Sequence, residues 1–213
     1  MRKGHGYKME KKEESLRKFG FIGLNAMGYH VLYMALSGLV GCIHTVLALA
    51  FLSGNAYRLA GINFISILIY ALCIYLSKKK KIRLVYHIII GEVFLFSVFV
   101  TWILGSEYLF SMFCIATIPF TYLTSYLLET SEDGQKRITP VYYCAAAIIL
   151  FFFEHFMLNT GDFFLLPAEG DTNILFLQVF NLSVNICCCM IGGFALSKVA
   201  VENIRLTKSN LLQ

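Results

Sequence analysis

The residues able to do chemistry in this chain are few, and they sit inside long apolar runs. Glu92 is foremost: Ile88 to Gly91 precede it and Val93 to Phe96 follow, all apolar or small. It lies nine positions after the basic residue Arg83, about 13 Å along a helix. If Arg83 marks a membrane surface, Glu92 is near the midplane, where ionisable groups are costly and mark functional sites by default. A carboxyl there needs a partner or a proton. His44 and Asn63 fall slightly beyond the middle of two other runs, and Asn181 and Asn185 stand one turn apart on one helical face near Ser183. These groups can converge on a ligand in the outer half of a bundle. They can equally hydrogen-bond across helices and fix the packing, at about 1 kcal/mol each.

Other polar residues are set aside. His87 precedes Glu92 by five residues, about 140° round the helix, so the two do not share a face. Glu154 and His155 fall near the end of their run, within reach of water, and are not counted as buried. There is no GxSxG, HExxH, P-loop or GxGxxG pattern, so no catalytic residue is expected. The seven cysteines (Cys42, Cys73, Cys114, Cys144 and Cys187 to Cys189) lie within the apolar runs without CxxC or Cys/His ligand spacing. They read as packing residues, and neither a metal site nor a cofactor is expected.

The elements that position these groups follow from composition. Of the 213 residues 58% are hydrophobic and 15% charged, where soluble domains carry about 25% charge. The apolar residues form six blocks, at Leu32–Leu52, Arg58–Leu76, Leu84–Leu104, Tyr108–Leu128, Val141–Leu158 and Asn173–Val199. Each meets or approaches the roughly 20 residues that span about 30 Å of hydrocarbon. They are apolar all round, unlike soluble helices, and show no strand-like alternation. The expected fold is an all-α membrane protein, a six-helix transmembrane bundle in contact with the lipid bilayer.

Charge placement orients it. Of the 18 Lys and Arg residues, 16 precede the first block, join the second to the third or the fourth to the fifth, or follow the sixth, and Lys198 stands at the inner end of the sixth; only Arg58 lies on the other side. Positive loops stay in the cytoplasm, so both termini are expected there, with the chain in the inner (cytoplasmic) membrane. The run Lys78 to Lys81 reads as an anchor at anionic headgroups rather than as a nucleic-acid patch.

Three regions follow. Residues 1–26 are a basic cytoplasmic lead, whose Leu16, Phe19, Phe21 and Ile22 can hold it to the interface. Residues 27–199 carry the six spans, with Glu132-Asp133-Gly134 as a turn and Asn159 to Thr172 as the longest outer connection. Residues 200–213 begin a connector helix: Ala200, Ile204 and Leu211 sit at heptad-like positions, and no Gly or Pro interrupts the stretch.

Several of these pieces form one ordered pattern: Asn63-x-x-Ser66-x-x-x-Tyr70, the basic turn Lys78 to Arg83, Gly91-Glu92 and the connector SKVAVENIRLTKSNLLQ. The pattern resembles the six-span membrane region that precedes GGDEF-type diguanylate cyclase domains in bacteria. Phe96 stands where such regions often carry a histidine, and Gly105-Ser106-Glu107 replaces a Gly-Trp-Asp-like turn. The resemblance implies a sensory module, homodimeric, that controls a cytoplasmic cyclase through its last span. With Ser66 added, the candidate ligand-binding cluster is Glu92, His44, Asn63, Ser66, Asn181 and Asn185. A small transporter or channel subunit with Glu92 as its coupling site is the alternative, and a scaffold without a ligand is a third reading.

Overall fold

The computed structural model describes residues 26–129, 140–157 and 174–211, and among them every regular element is helical. In chain order these are α1 (Ala26–Ser53), α2 (Tyr57–Lys78), α3 (Ile82–Leu104), a 3-10 turn (Ser106–Tyr108), α4 (Met112–Glu129), α5 (Pro140–Phe152) and α6 (Ile174–Leu211). A π-helical turn, Phe153–Met157, continues α5. The basic lead, the Glu132-Asp133-Gly134 turn and the connection from Asn159 to Thr172 lie outside the described residues.

Among the described residues, four helical stretches are long and apolar enough to cross a membrane: His30–Ser53, Tyr57–Lys78, Ile82–Leu104 and Leu175–Ser197. Two more, Met112–Ser125 and Pro140–Phe156, are apolar but shorter. The fourth sequence block was expected to start its helix at Tyr108, and it starts later. Gly105 adopts φ 102° and Leu109 φ 62°, and Ser106–Tyr108 turn between them before α4 begins at Met112. A backbone at φ 102° is open to glycine and strained for other residues. Large apolar side chains are more than half exposed on five helices, among them Leu39, Leu68, Leu95, Ile149 and Met190. Apolar side chains facing outward are what contact with lipid requires.

The helices pack as two groups joined by α3. Helix α1 lies along α2, α2 packs on α3, and α4 sits between α5 and α6 while also touching α3. The α1–α2 turn is reversed by Asn55 (φ 58°) and the α2–α3 turn by Lys80 (φ 58°), so these turns mark opposite ends of the bundle. Near the Asn55 end the core is built from Leu47, Phe51, Leu59, Val100 and Phe110; near the lysine end it is built from Tyr33, Cys73, Val85, Tyr86 and Ile90. Glu92 lies on α3 between the two cores, after Ile90 and before Phe96.

Helices α4 and α6 approach closely at one point. A Cβ placed on Gly192 would come within 2.6 Å of Pro119 Cβ. Pro119 removes one backbone donor from the middle of α4, and the bare face of Gly192 accommodates its ring.

Candidate functional site

Helix α2 brings three polar residues to one face. Asn63, Ser66 and Tyr70 are spaced i, i+3 and i+7, all are buried, and the pitch of the helix stacks them toward α1 and α3. Glu92 of α3 meets two of them. Ser66 Oγ donates to Glu92 Oε1 at 2.5 Å, and the Tyr70 hydroxyl donates to Oε2 at 2.6 Å. Asn63 spends its amide differently: Nδ2 donates to the Leu59 carbonyl at 2.8 Å, which leaves Oδ1 to face His44 Nδ1 at 2.9 Å.

That arrangement determines the tautomer of His44. The Leu59 carbonyl only accepts, so the donor end of the Asn63 amide points to it and Oδ1 points to the ring. Nδ1 therefore carries hydrogen. The other ring nitrogen, Nε2, sits 3.6 Å from Glu92 Oε1, within ion-pair reach but too long for a hydrogen bond. Ring contacts hold the imidazole: Tyr70 stacks on it at 5.4 Å, and Phe96 meets it edge-on at 4.7 Å. Phe96 thus forms part of the site as an aromatic wall.

The chain of bonds runs from the Leu59 carbonyl through Asn63 and His44 to Glu92, then to Ser66 and Tyr70. It leaves one gap, between Nε2 and Oε1. A single exchangeable proton can occupy that gap, or a hydrogen-bond donor brought by a ligand can bridge the two groups from beside it. Both are ordinary roles for a histidine–carboxylate pair.

His44 and Glu92 also border a cavity of about 190 Å³. Its walls come from α1 (Tyr33, Leu39), α3 (Tyr86, Phe96), α4 (Phe113, Phe120) and α6 (Cys188, Ile191), among others. Most other polar groups in the wall are already engaged. The Tyr33 hydroxyl is 2.5 Å from Thr124 Oγ1, Tyr86 donates to Thr121 at 3.1 Å, and Thr117 donates to the Cys114 carbonyl at 2.6 Å. The Tyr33–Thr124 bond straps α1 to α4 across the lysine end of the cavity. A mostly apolar pocket with few convergent polar groups is the usual form of a small-molecule site.

The expected six-residue cluster separates into two groups. His44, Asn63, Ser66 and Glu92 come together, and Tyr70 joins them. Asn181 and Asn185 are buried on α6 but bond elsewhere: Asn181 Nδ2 donates to the Tyr108 carbonyl at 2.7 Å, and Asn185 Nδ2 to the Asn181 carbonyl at 2.8 Å. Asn181 thereby ties α6 to the α3–α4 turn, where the backbone leaves the helical pattern and exposes a carbonyl.

Glu154 corrects the sequence expectation. It is fully buried (0% exposed), whereas its neighbour His155 is exposed. The π-turn swings Glu154 inward against α3 and α4, and π-turns inside helices frequently accompany functional sites. Ser97 Oγ lies 2.7 Å and Thr101 Oγ1 3.1 Å from Glu154 Oε2, and Cys114 Sγ lies 3.6 Å from Oε1. Ser97 Oγ is also 2.9 Å from the Phe110 carbonyl. Ser97 thus reaches two acceptors from one position, and the Phe110 carbonyl also accepts from Phe113 N at 3.1 Å.

No protein family, curated protein or solved structure matches this chain.

Proposed function

We propose that this chain is a membrane-embedded sensory module whose cavity is read by His44 and Glu92 and reported by α6. The observation that carries the reading is the shared wall. Val184, Cys188 and Ile191 of α6 line the cavity that ends on His44 and Glu92, and the same helix continues unbroken to Leu211. At 38 residues α6 is about 57 Å long, well beyond the thickness of the hydrocarbon. A displacement at the cavity therefore has a rigid route past the membrane surface.

In this reading the shorter α4 and α5 complete six spans. With its π-turn, α5 runs from Pro140 to Met157, and both helices reach about 27 Å, close to the hydrocarbon thickness. The basic residues around Lys78–Arg83 then face the cytoplasm together with both termini, in the inner membrane. The resemblance of the Asn63–Ser66–Tyr70 and Glu92 pattern to regions ahead of GGDEF-type domains supports a cyclase as the output. It also supports a homodimer, paired through the exit helices. The ligand shifts the position of α6 only by its differential affinity for two arrangements of the bundle.

A reporter fusion tests this. With a diguanylate cyclase domain joined after Gln213, Glu92→Gln and His44→Ala are expected to change cyclase output in cells by at least several-fold, as is a four-residue insertion after Val199. Leu95→Ala, on the lipid-facing side, is expected to change nothing. Unchanged output from all three altered proteins would end the sensory reading.

One observation favours a second reading, a proton-coupled transporter. The 3.6 Å between His44 Nε2 and Glu92 Oε1 has room for a single exchangeable proton. Uptake by vesicles that stops with Glu92→Gln while the reporter stays silent would select it.

A further inference from the structure

The chemistry of the cavity narrows what it takes, given the pocket reading proposed above. Its mouth is bordered by Leu39 of α1 and Ile191 of α6, each 58% exposed on the apolar exterior. Among the described residues α1 rests on α2 and α6 on α4, and the two do not pack closely against each other. The lysine end is closed by the Tyr33–Thr124 strap. Entry is therefore sideways, from the lipid, and the occupant is lipid-soluble.

Its size is bounded. An engineered apolar cavity of about 150 Å³ holds benzene, and this one measures about 190 Å³. A single ring or a short alkyl chain fits inside.

Its polar end is bounded as well. The hydroxyls of Tyr33, Tyr70, Tyr86 and Thr117 are all engaged within the protein. Unspent capacity remains at His44 Nε2 and at the lone pairs of Glu92 Oε1, 3.6 Å apart. Because Nδ1 carries the hydrogen that goes to Asn63, the neutral ring presents a bare acceptor at Nε2. Two acceptors side by side call for a donor between them. One of them is a carboxylate in low-dielectric surroundings, so a cationic head is favoured and an anionic one repelled.

We infer that the cavity binds a lipid-soluble amine, an alkyl- or arylalkyl-ammonium of about one ring's size, with its head bridging Glu92 and His44 from the cavity side and its body among the aromatic walls.

Three probes with one body and different heads test this: hexylamine, hexanol and hexanoate, added to the full chain in detergent at matched concentrations in the micelle. Ligand binding to the folded state raises the unfolding temperature. Hexylamine is expected to stabilise most, hexanol less and hexanoate not at all. Glu92→Gln should weaken hexylamine at least 10-fold and leave hexanol unchanged. Ile191→Trp, a lipid-facing change at the mouth that leaves the core intact, should abolish both responses.

Hexanoate binding as well as hexylamine would overturn the inference, as would an amine response indifferent to Glu92→Gln or no response to any probe. The sensory reading is tested apart from this. Amine binding with a silent reporter fusion would sink the sensor and keep the ligand class, and tight hexanoate binding with a responsive reporter would do the reverse.

Discussion

His44 Nε2 faces Glu92 Oε1 across 3.6 Å, with every other polar atom of the pair already bonded. The relationship depends on Asn63, which turns the ring by accepting from Nδ1 while anchoring its own amide to Leu59. Asn63→Leu is therefore expected to free the tautomer. Imidazole 15N shifts of His44 would move from a pattern protonated at Nδ1 to a mixed one. Stability should fall by about 1–3 kcal/mol, the cost of orphaning a buried donor. Unchanged shifts would show that something else holds the ring.

Glu154 offers a chemical test by isosteric replacement. Gln keeps an oxygen that can accept from Ser97 and Thr101, so Glu154→Gln should unfold within a few degrees of the parent protein. Glu154→Leu strands Ser97, Thr101 and Cys114 around an apolar group and should cost about 1–3 kcal/mol. If Gln proved as damaging as Leu, the bonds from Ser97 and Thr101 would not be what Glu154 contributes.

Part of this site is legible in the sequence, and the reason differs from residue to residue. Glu92, His44 and Asn63 stand out because polar groups in apolar runs are rare, while Ser66 and Tyr70 enter through the Asn63-x-x-Ser66-x-x-x-Tyr70 pattern. Helical pitch puts Asn63, Ser66 and Tyr70 on one face, but the meeting of that face with His44 and Glu92 depends on how three helices pack and is not readable from spacing. Glu154 is misread because depth along a regular helix does not foresee a π-turn, which redirects side chains by local backbone change. The bonds of Asn181 depend on the α3–α4 turn, set by Gly105 and Leu109 far off in sequence. Burial of Asn181 is therefore readable, but its partner is not. The all-helical class follows from the apolar runs, since hydrocarbon demands internal backbone bonding.

Gly192 and Gly193 form a matched pair. A methyl group on Gly192 would meet Pro119 at 2.6 Å, whereas one on Gly193 meets nothing within 4 Å. Gly192→Ala should force α4 and α6 apart and cost about 1–3 kcal/mol, the usual penalty of overpacking. Gly193→Ala should be close to neutral. Equal thermal denaturation midpoints for the two would deny that contact its role.

The strap at the lysine end can be cut by one atom. Tyr33→Phe removes the bond to Thr124 and should open that end of the cavity. Cys188, which lines the cavity, should then react faster with a maleimide added to the full chain in detergent. A rate matching the parent protein would show that the bond closes nothing.

The central claim, that the His44–Glu92 cavity moves α6, is tested most directly by a distance. With Cys42 and Cys187 to Cys189 replaced by alanine, spin labels at Lys79 and Val201 report the lysine end of α2 against the far part of α6. The account predicts that Glu92→Gln shifts the label separation by an ångström or more, and that Leu95→Ala leaves it in place. An identical distance distribution in parent and Glu92→Gln proteins would contradict it.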